Sequence, residues 1–222
     1  MLLNSRFMNF KKLFSLVLLS IYFSLGAQEI AILKYNGGGD WYSNPTALPN
    51  LIDFTNENAN TKIAQDPTSV AVGNIDIFNF PMVFMTGHGN VFFSAQEAEN
   101  LRNYLISGGF LHISDNYGMD KYIRREMKKV FPKIDFQEIP TDHPIYNQTF
   151  AFKNGIPKIH EHDKKPAQGF GIFHEGRLVC FYDFETDLSD GWEDASIHNN
   201  PQEVRLKALQ MGANIIEYAF KN

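Results

Sequence analysis

The sequence predicts an α/β fold: a three-layer, doubly wound and mostly parallel sheet with helices on both faces. Short apolar runs alternate with segments of helical length along residues 28–222, which is the pattern of βαβ units joined by right-handed crossovers. Residues 81–86 are continuously apolar, as expected of a central parallel strand covered on both faces. Ser94 and Glu97 form a capping box ahead of an apolar stripe at helical spacing.

The start of the chain has the order of a secretory signal peptide. Basic residues precede an apolar run over residues 13–25, which ends in the small residues Gly26 and Ala27. The run is shorter than the about 20 apolar residues that a membrane span needs. We therefore expect residues 1–27 to be cleaved and residues 28–222 to form a single α/β domain, secreted or periplasmic and without a membrane span.

Composition narrows the class of partner. Removing the leader takes away three positive charges and no negative ones, which lowers the formal net charge from −5 to −8. Such a surface argues against nucleic acid or an anionic membrane as the main partner. Cys180 is the single cysteine, so no intramolecular disulfide can form. Its apolar neighbours predict a buried thiol in a strand rather than a nucleophile.

The first half of the chain predicts two strands, a helix and the central strand. Residues 30–35 are apolar and stop at a glycine-rich loop, which is typical of a buried strand. Residues 45–58 have apolar residues near helical spacing. A brief second strand is expected at residues 62–64, where an Asp-Pro pair soon follows, and the buried strand at residues 81–86 comes next.

The middle of the chain continues the alternation. The helix that begins after Ser94 ends at a glycine pair, as helices commonly do. An apolar run predicts a strand over residues 110–114, a basic helix follows over residues 122–130, and residues 136–139 suggest a short strand.

The last third predicts a hairpin and a long helix. The apolar runs at residues 170–173 and 177–184 are separated by a Glu-Gly turn. Asn200, followed by proline, is the expected N-cap of a helix that runs to about residue 220. Residues 140–168 are irregular.

In such a fold the ligand crevice should lie beyond the carboxyl ends of the strands, at the topological switch point. The first loop at this position contains Gly38, Gly39, Asp40 and Trp41. Its glycines let the backbone approach a ligand closely, although the loop has neither a Walker nor a dinucleotide pattern. The alternative is a tight turn whose Trp41 packs inside the protein.

His88 and the pair Asp115-Asn116 follow the next two strands. His88 stands between glycines, so its imidazole is open to the crevice; the alternative is a structural hydrogen-bonding role. Asp115 is suited to be a metal ligand, a general base or a nucleophile. The alternative is that Asp115 and Asn116 cap the following turn. His88 and Asp115 are the candidate catalytic residues, and Asn116 joins them as a candidate for ligand binding.

Residues 183–194 form the fourth loop, with six acidic residues. Their composition is that of an oxygen-rich cation site, but they lack EF-hand spacing, and a solvated acidic loop is the alternative. Trp192 within this loop and His143 in an Asp-His-Pro motif complete the ligand-binding candidates. His160 and His162 are two positions apart, which is not zincin spacing. We assign no metal site and predict no cofactor; a divalent metal stays open.

Seven blocks stand in the order of one bacterial family. They are Gly-Gly-Asp-Trp-Tyr (38–42), Thr-Gly-His-Gly (86–89), Leu-Arg-Asn-Tyr-Leu (101–105), Gly-Gly-Phe-Leu (108–111), Asp-His-Pro-Ile-Tyr (142–146), Asp-Leu-Ser-Asp-Gly-Trp-Glu (187–193) and Gly-Ala-Asn-Ile-Ile-Glu-Tyr-Ala (212–219). In these blocks the chain resembles DUF4159, a family of domains of unknown function, over nearly all of residues 28–222.

That resemblance implies a fold like that of class I glutamine amidotransferases, with a flavodoxin-like core. Those enzymes carry a nucleophilic cysteine at a strand-to-helix elbow, together with a histidine and a glutamate. In this chain the elbow falls near Asp115-Asn116 and contains no cysteine. Hydrolysis of glutamine by a thiolate is therefore not expected.

Two functions remain open at this point. The first is an accessory module whose crevice binds a small polar ligand, carbohydrate-like in class, or a protein partner. The second is a hydrolase-type enzyme that uses Asp and His at the strand ends, with a metal in one version. The missing thiol favours the first, and the clustering of Asp and His at several strand ends favours the second.

Overall fold

The computed structural model describes residues 27–222, so the predicted leader, apart from Ala27, lies outside the described residues. Within this range the chain forms one mixed sheet. Its strands are β1 (Ile30–Lys34), β2 (Ser69–Ala71), β3 (Met82–Gly87), β4 (Phe110–Asp115), β5 (Gln137–Glu138), β6 (Gln168–His174) and β7 (Arg177–Phe184). The helices are α1 (Ala47–Asn58), α2 (Ala95–Ile106), α3 (Asp120–Val130), α4 (Ala195–His198) and α5 (Gln202–Lys221). None of the helices between residues 27 and 222 offers an apolar stretch long enough to cross a membrane.

The strands follow the order β2-β1-β3-β4-β7-β6-β5 across the sheet. β1 pairs in parallel with β2 and β3, and β4 pairs in parallel with β3 and β7. β6 pairs antiparallel with both β7 and β5. The prediction of an α/β fold on a mostly parallel sheet is confirmed. Because β2 and β3 lie on opposite sides of β1, the winding reverses between β1 and β3, which makes that gap the switch point.

Helices cover both faces of the sheet. α1 and α5 pack together on one face, and α2 and α3 pack on the other. Alternate residues of β4 serve the two cores, since Leu111 and Ile113 belong to the α2–α3 side and Phe110 to the α1–α5 side. This alternation follows from the two-residue period of a strand. It also decides which face each functional side chain reaches.

One helix start and one hairpin turn lie where local signals in the sequence predict them. The Ser94 hydroxyl accepts a hydrogen bond from the Glu97 amide, and the Glu97 carboxylate accepts one from the Ser94 amide, so the predicted capping box is confirmed. The hairpin turns at Glu175 and Gly176, whose φ angles of 50° and 82° are typical of a two-residue type I′ turn.

The second strand lies further along the chain than the sequence predicts. Residues 62–64 form no strand; Ile63 makes only an isolated bridge to Gln28. β2 forms instead after the Asp-Pro pair, where Val70 stands beside Leu33 of β1 and is buried with it. The burial of Val70 in the core favours this later pairing over the earlier run.

The start of α5 also differs from expectation. The helix begins at Gln202, its N-cap position is Pro201, and no side chain caps it. Asn200, the expected N-cap, has its Oδ1 atom 2.9 Å from Nε2 of His160 instead. A contact with a distant loop has therefore replaced the local cap.

Candidate functional site

Asp40 and His88 meet at the switch point, where the loops after β1 and β3 cross. The Asp40 carboxylate accepts a hydrogen bond from the His88 amide, and its Oδ2 atom lies 3.0 Å from His88 Nδ1. Partial burial raises the pKa of Asp40, but the hydrogen bonds from His88 outweigh it, so that the net pKa is lowered. His88 keeps 55% of its side chain exposed, so the imidazole is accessible to solvent.

The glycine loop fits closely against the segment that carries His88. A Cβ atom at Gly39 would lie 2.7 Å from the His88 carbonyl oxygen, and Gly38 adopts a φ of +88°. Trp41 is partly buried against the α2–α3 core, and the Lys34 ammonium lies 4.9 Å from the centre of its ring. This face of Trp41 is therefore covered by the chain itself.

Asp115 and Asn116 at the elbow after β4 are held by internal hydrogen bonds. Asp115 accepts one from the Met119 amide and one from the Tyr182 hydroxyl, at 3.0 and 2.9 Å. Burial raises the pKa of Asp115, against the effect of these bonds. Asn116 accepts hydrogen bonds from Thr86 and Ser189. Asp115 thus holds the turn into α3, the structural alternative considered above, while it also borders the cleft described below.

A serine, an aspartate and a histidine lie together under the elbow, out of reach of solvent. His112 Nε2 lies 2.7 Å from an Asp183 oxygen, and Ser114 donates to the other oxygen. All three are fully buried. Trp192, predicted at the rim, instead packs in the core with its ring centroid 5.6 Å from that of His112, and its indole donates to the Ala208 carbonyl. This grouping is structural and cannot meet a substrate.

His143 lies at the other end of the sheet. Its ring packs on Phe173 and Tyr218, and Phe173 pairs with Leu178 near the start of β7. His143 Nδ1 accepts a hydrogen bond from the Ile145 amide, so the residue caps a local turn. The structure therefore does not bring His143 together with Asp40, His88 or Asp115.

A polar cleft of about 330 Å³ opens where β4 and β7 end. Its lining residues come from the elbow, from the start of α3, from the loop around residue 163 and from the acidic loop: Asp115, Tyr117, Gly118, Asp120, Lys121, His162, Asp163, Lys165, Phe184, Glu185 and Asp187. The cleft is at the predicted edge of the sheet, but it lies over β4 and β7 rather than at the switch point.

The cleft wall is tied together by aromatic and charged contacts. The rings of Tyr117 and His162 stack with centroids 4.4 Å apart. The Tyr117 hydroxyl donates to Asp163 at 2.9 Å, and Lys165 bridges Asp163 and Glu185. These hydrogen bonds join the elbow to the loop around residue 163, although the two are far apart in sequence.

Beside the cleft lies a second group, which we call the histidine cluster: His160, Asp187, Asp190, Glu193 and His198. His160 Nδ1 lies 3.0 Å from Asp190 and 3.4 Å from Asp187. Hydrogen bonds to Asp187 and then Asp190 raise the pKa of His160 to about 10. His198 Nε2 lies 2.9 Å from Glu193. The cluster thus attracts positive charge.

The histidine cluster was not predicted as a unit. The sequence signals were present separately, as a close pair of histidines and an acidic loop, but neither has a known metal-binding spacing. His160 and Asn200 are 40 positions apart, and the long connection before β6 brings them together. Asp187 belongs to both features, since its Oδ2 also contacts His162 of the cleft.

Comparison with known proteins identifies the family. No curated protein matches the chain. The family model described as "Domain of unknown function (DUF4159)" matches residues 29–220, which is nearly the whole of the described domain. The chain therefore belongs to the DUF4159 family.

Proposed function

We propose that this domain binds a small, neutral, hydroxyl-rich ligand in the cleft and acts as an exported accessory module without catalysis of its own. The observation that carries the proposal is the cleft of about 330 Å³ at the carboxyl ends of β4 and β7. Ligands of open α/β sheets bind at this end of the strands. Pockets of about 300–1,000 Å³ are typical of small-molecule sites.

The charges in the cleft favour a neutral ligand over an anion. Five carboxylates line it, against two lysines and a histidine. One of these lysines, Lys165, is already paired with Asp163 and Glu185. Hydroxyl groups can both donate to the carboxylates and accept from the lysines. The stacked rings of Tyr117 and His162 offer a flat face on which a sugar ring can pack.

The backbone around the cleft is strained, as is common at binding sites. Tyr117, Glu185 and Asp187 line the cleft with φ angles of 83°, 57° and 53°. Lys164, beside the wall, has a φ of 58°. Each such residue costs on the order of 1–3 kcal/mol and persists where surrounding contacts hold it.

We propose the absence of catalysis because of the residues found at the elbow after β4. We propose that the fold is of the class I glutamine amidotransferase type, in which the turn after β4 would carry the nucleophile. Here that turn holds Asp115 and Asn116, and the thiol of Cys180 is buried in β7.

The leader supports the export part of the proposal. Amino-terminal sequencing of protein from the extracytoplasmic fraction tests it; a chain that retains residues 1–27 would contradict export by cleavage.

Titration with neutral saccharides tests ligand binding. We expect isothermal calorimetry with glucose, galactose and oligomers of N-acetylglucosamine to detect a bound sugar. Tyr117→Ala should weaken its binding by about 2- to 10-fold, since one stacking face is lost. Tyr42→Ala is the matched control, because Tyr42 is exposed and lies outside the cleft. Failure of every sugar to bind, or equal loss in both variants, would refute the proposal.

A hydrolase is the second candidate, and one observation favours it. The Asp40 carboxylate orients His88 through Nδ1 while more than half of the His88 side chain is exposed, which is the arrangement of a general base. Hydrolysis of nitrophenyl esters or phosphate esters that disappears in both His88→Gln and Asp40→Asn, with retained fold, would support it. Activity that survives His88→Gln would rule it out.

A further inference from the structure

We propose that His160, Asp190 and His198 bind a divalent transition metal of the zinc type. One donor atom from each residue lies within 4.8 Å of the donors of the other two. Asp190 Oδ2 is 3.0 Å from His160 Nδ1 and 3.8 Å from His198 Nδ1. Donors around a tetrahedral zinc stand roughly 3.3–3.6 Å apart, given metal–ligand distances of about 2.0–2.2 Å. Small side-chain adjustments are enough to reach that geometry.

Both imidazoles are held by an oxygen acceptor on the side away from Asp190. His160 Nε2 lies 2.9 Å from Asn200 Oδ1, and His198 Nε2 lies 2.9 Å from Glu193 Oε2. With Nε2 bound to these oxygen acceptors, Nδ1 of each ring is the atom turned toward Asp190, and it binds a metal once its own proton has been released. Histidines that bind metals are almost always oriented in this way by a carboxylate or carbonyl oxygen.

Asp190 is positioned by the same kind of contact. Its Oδ1 atom accepts a hydrogen bond of 2.6 Å from the side-chain amide of Asn44, so that Oδ2 is directed at the two histidines. All three proposed ligands are therefore fixed by outer partners, and those of His160 and Asp190 come from distant parts of the chain. This arrangement explains why Asn200 contacts His160 rather than capping α5.

Asp187 supplies an independent indication of a cation site. Only 2% of the residue is exposed, and its Oδ1 atom has no hydrogen-bond partner among the described residues. Its Oδ2 atom lies 3.4 Å from His160 Nδ1. A buried carboxylate oxygen without a partner is costly. A metal bound at His160 places positive charge beside this carboxylate and lowers that cost.

In the part of the chain that the structure describes, the carboxylates of the cluster are also not neutralised by lysine or arginine. Within residues 27–222 the carboxylates of Asp187, Asp190 and Glu193 form ion pairs with histidines only, and not with lysine or arginine. Imidazole donors favour zinc and related metals over Ca²⁺ and Mg²⁺, which prefer all-oxygen sites. The three proposed ligands do not line the cleft, although their neighbour Asp187 borders both features.

Metal titration of the chelator-stripped domain, freed of any affinity tag, tests the proposal. We expect one zinc per chain by calorimetry and elemental analysis. His198→Ala should weaken zinc binding about 100-fold or more, and Asn200→Ala, which removes only the outer partner of His160, about 10- to 100-fold. His174→Ala is the control, because His174 lies at the hairpin end of the sheet and should leave the affinity unchanged.

A structural readout makes the test independent of protein stability. Cobalt bound to the wild-type domain should give the visible absorption of a tetrahedral site, and Glu193→Gln, which keeps the His198 ring, should alter it. Circular dichroism checks that each variant folds; if His198→Ala does not, Glu193→Gln and Asn200→Ala decide. No stoichiometric zinc binding, or binding that is equally strong in all these variants, would overturn the proposal.

Discussion

His112 of β4 and Asp183 of β7 form a hydrogen bond of 2.7 Å in which both side chains are wholly excluded from solvent. Burial lowers the pKa of His112 to about 3. Burial also raises the pKa of Asp183 well above its ordinary value, although Ser114 donates a hydrogen bond to it. These opposite pKa shifts predict that the native pair shares one proton at neutral pH.

This pair predicts a loss of stability above about pH 6.5. Because the pKa of His112 is lowered on folding, its contribution to stability is lost as the pH falls below about 6.5. Because the pKa of Asp183 is raised on folding, its contribution is lost as the pH rises above about 3.9. Between these values the two effects cancel, since folded and unfolded pairs each hold one proton. Above pH 6.5 only the unfolded pair has lost its proton, so stability should fall by up to about 1.4 kcal/mol per pH unit.

Asp183→Asn isolates this contribution from the other titrating groups. The variant keeps the shape of the pair but removes the acid, so its stability should not show the added decline above pH 6.5. Urea denaturation of both proteins between pH 5 and 9 measures the difference. Identical slopes above pH 6.5 would show that the native pair does not retain a proton.

The two glycines that flank His88 should differ in their tolerance of alanine. A Cβ atom at Gly87 would lie 2.2 Å from the Tyr35 hydroxyl at a φ of +138°, whereas one at Gly89, with φ +73°, would meet nothing within 4 Å. Gly87→Ala should destabilise the domain by about 3 kcal/mol or more through overpacking and strain. Gly89→Ala should cost only about 1–2 kcal/mol. Urea midpoints measure both, and equal costs would contradict the close packing of Tyr35.

Gly212 in α5 should resist substitution for reasons of packing. A Cβ atom there would lie 2.5 Å from Leu51 of α1 and 2.8 Å from the Trp192 ring. Gly212→Ala should therefore destabilise the domain by about 1 kcal/mol or more, although alanine favours helix by about 1 kcal/mol. Lys207→Ala, on the exposed side of the same helix, should change stability little. Thermal unfolding that shows Gly212→Ala to be stabilising would contradict this contact.

Cys180 should be unreactive in the folded protein. Its thiol is fully buried in β7, and burial raises its pKa well above the ordinary value. A disulfide-exchange reagent should label it only as fast as the domain unfolds, and at once in guanidinium chloride. Rapid labelling of the native domain would show that this strand opens locally.

Much of the fold could be predicted because it depends on local patterns. The apolar run of β3 and the capping box before α2 are contained in a few neighbouring residues, and both are confirmed. β2 could not be placed in the same way. The two candidate segments, residues 62–64 and Ser69–Ala71, are both short. The pairing of Val70 beside Leu33 selects Ser69–Ala71 as the strand.

The candidate site was predictable only in part. Asp40 and His88 each follow a strand, and parallel strands bring their ends to one edge, so their meeting agrees with the fold rule. The roles of Trp192 and His143 depend on which side chains surround them, and the fold places one in the core and the other at the opposite end of the sheet.

The sequence by itself determined the α/β class, the position of most strands and helices, and the absence of a cysteine from the elbow, because each of these depends on residue type and on short-range periodicity. Only the tertiary structure decided which polar residues act together. His160 is separated from Asp190 and His198 by β6, β7 and their long connections, whose path no local pattern specifies. Packing of those connections against the sheet selects one arrangement, and that selection creates both the cleft and the histidine cluster.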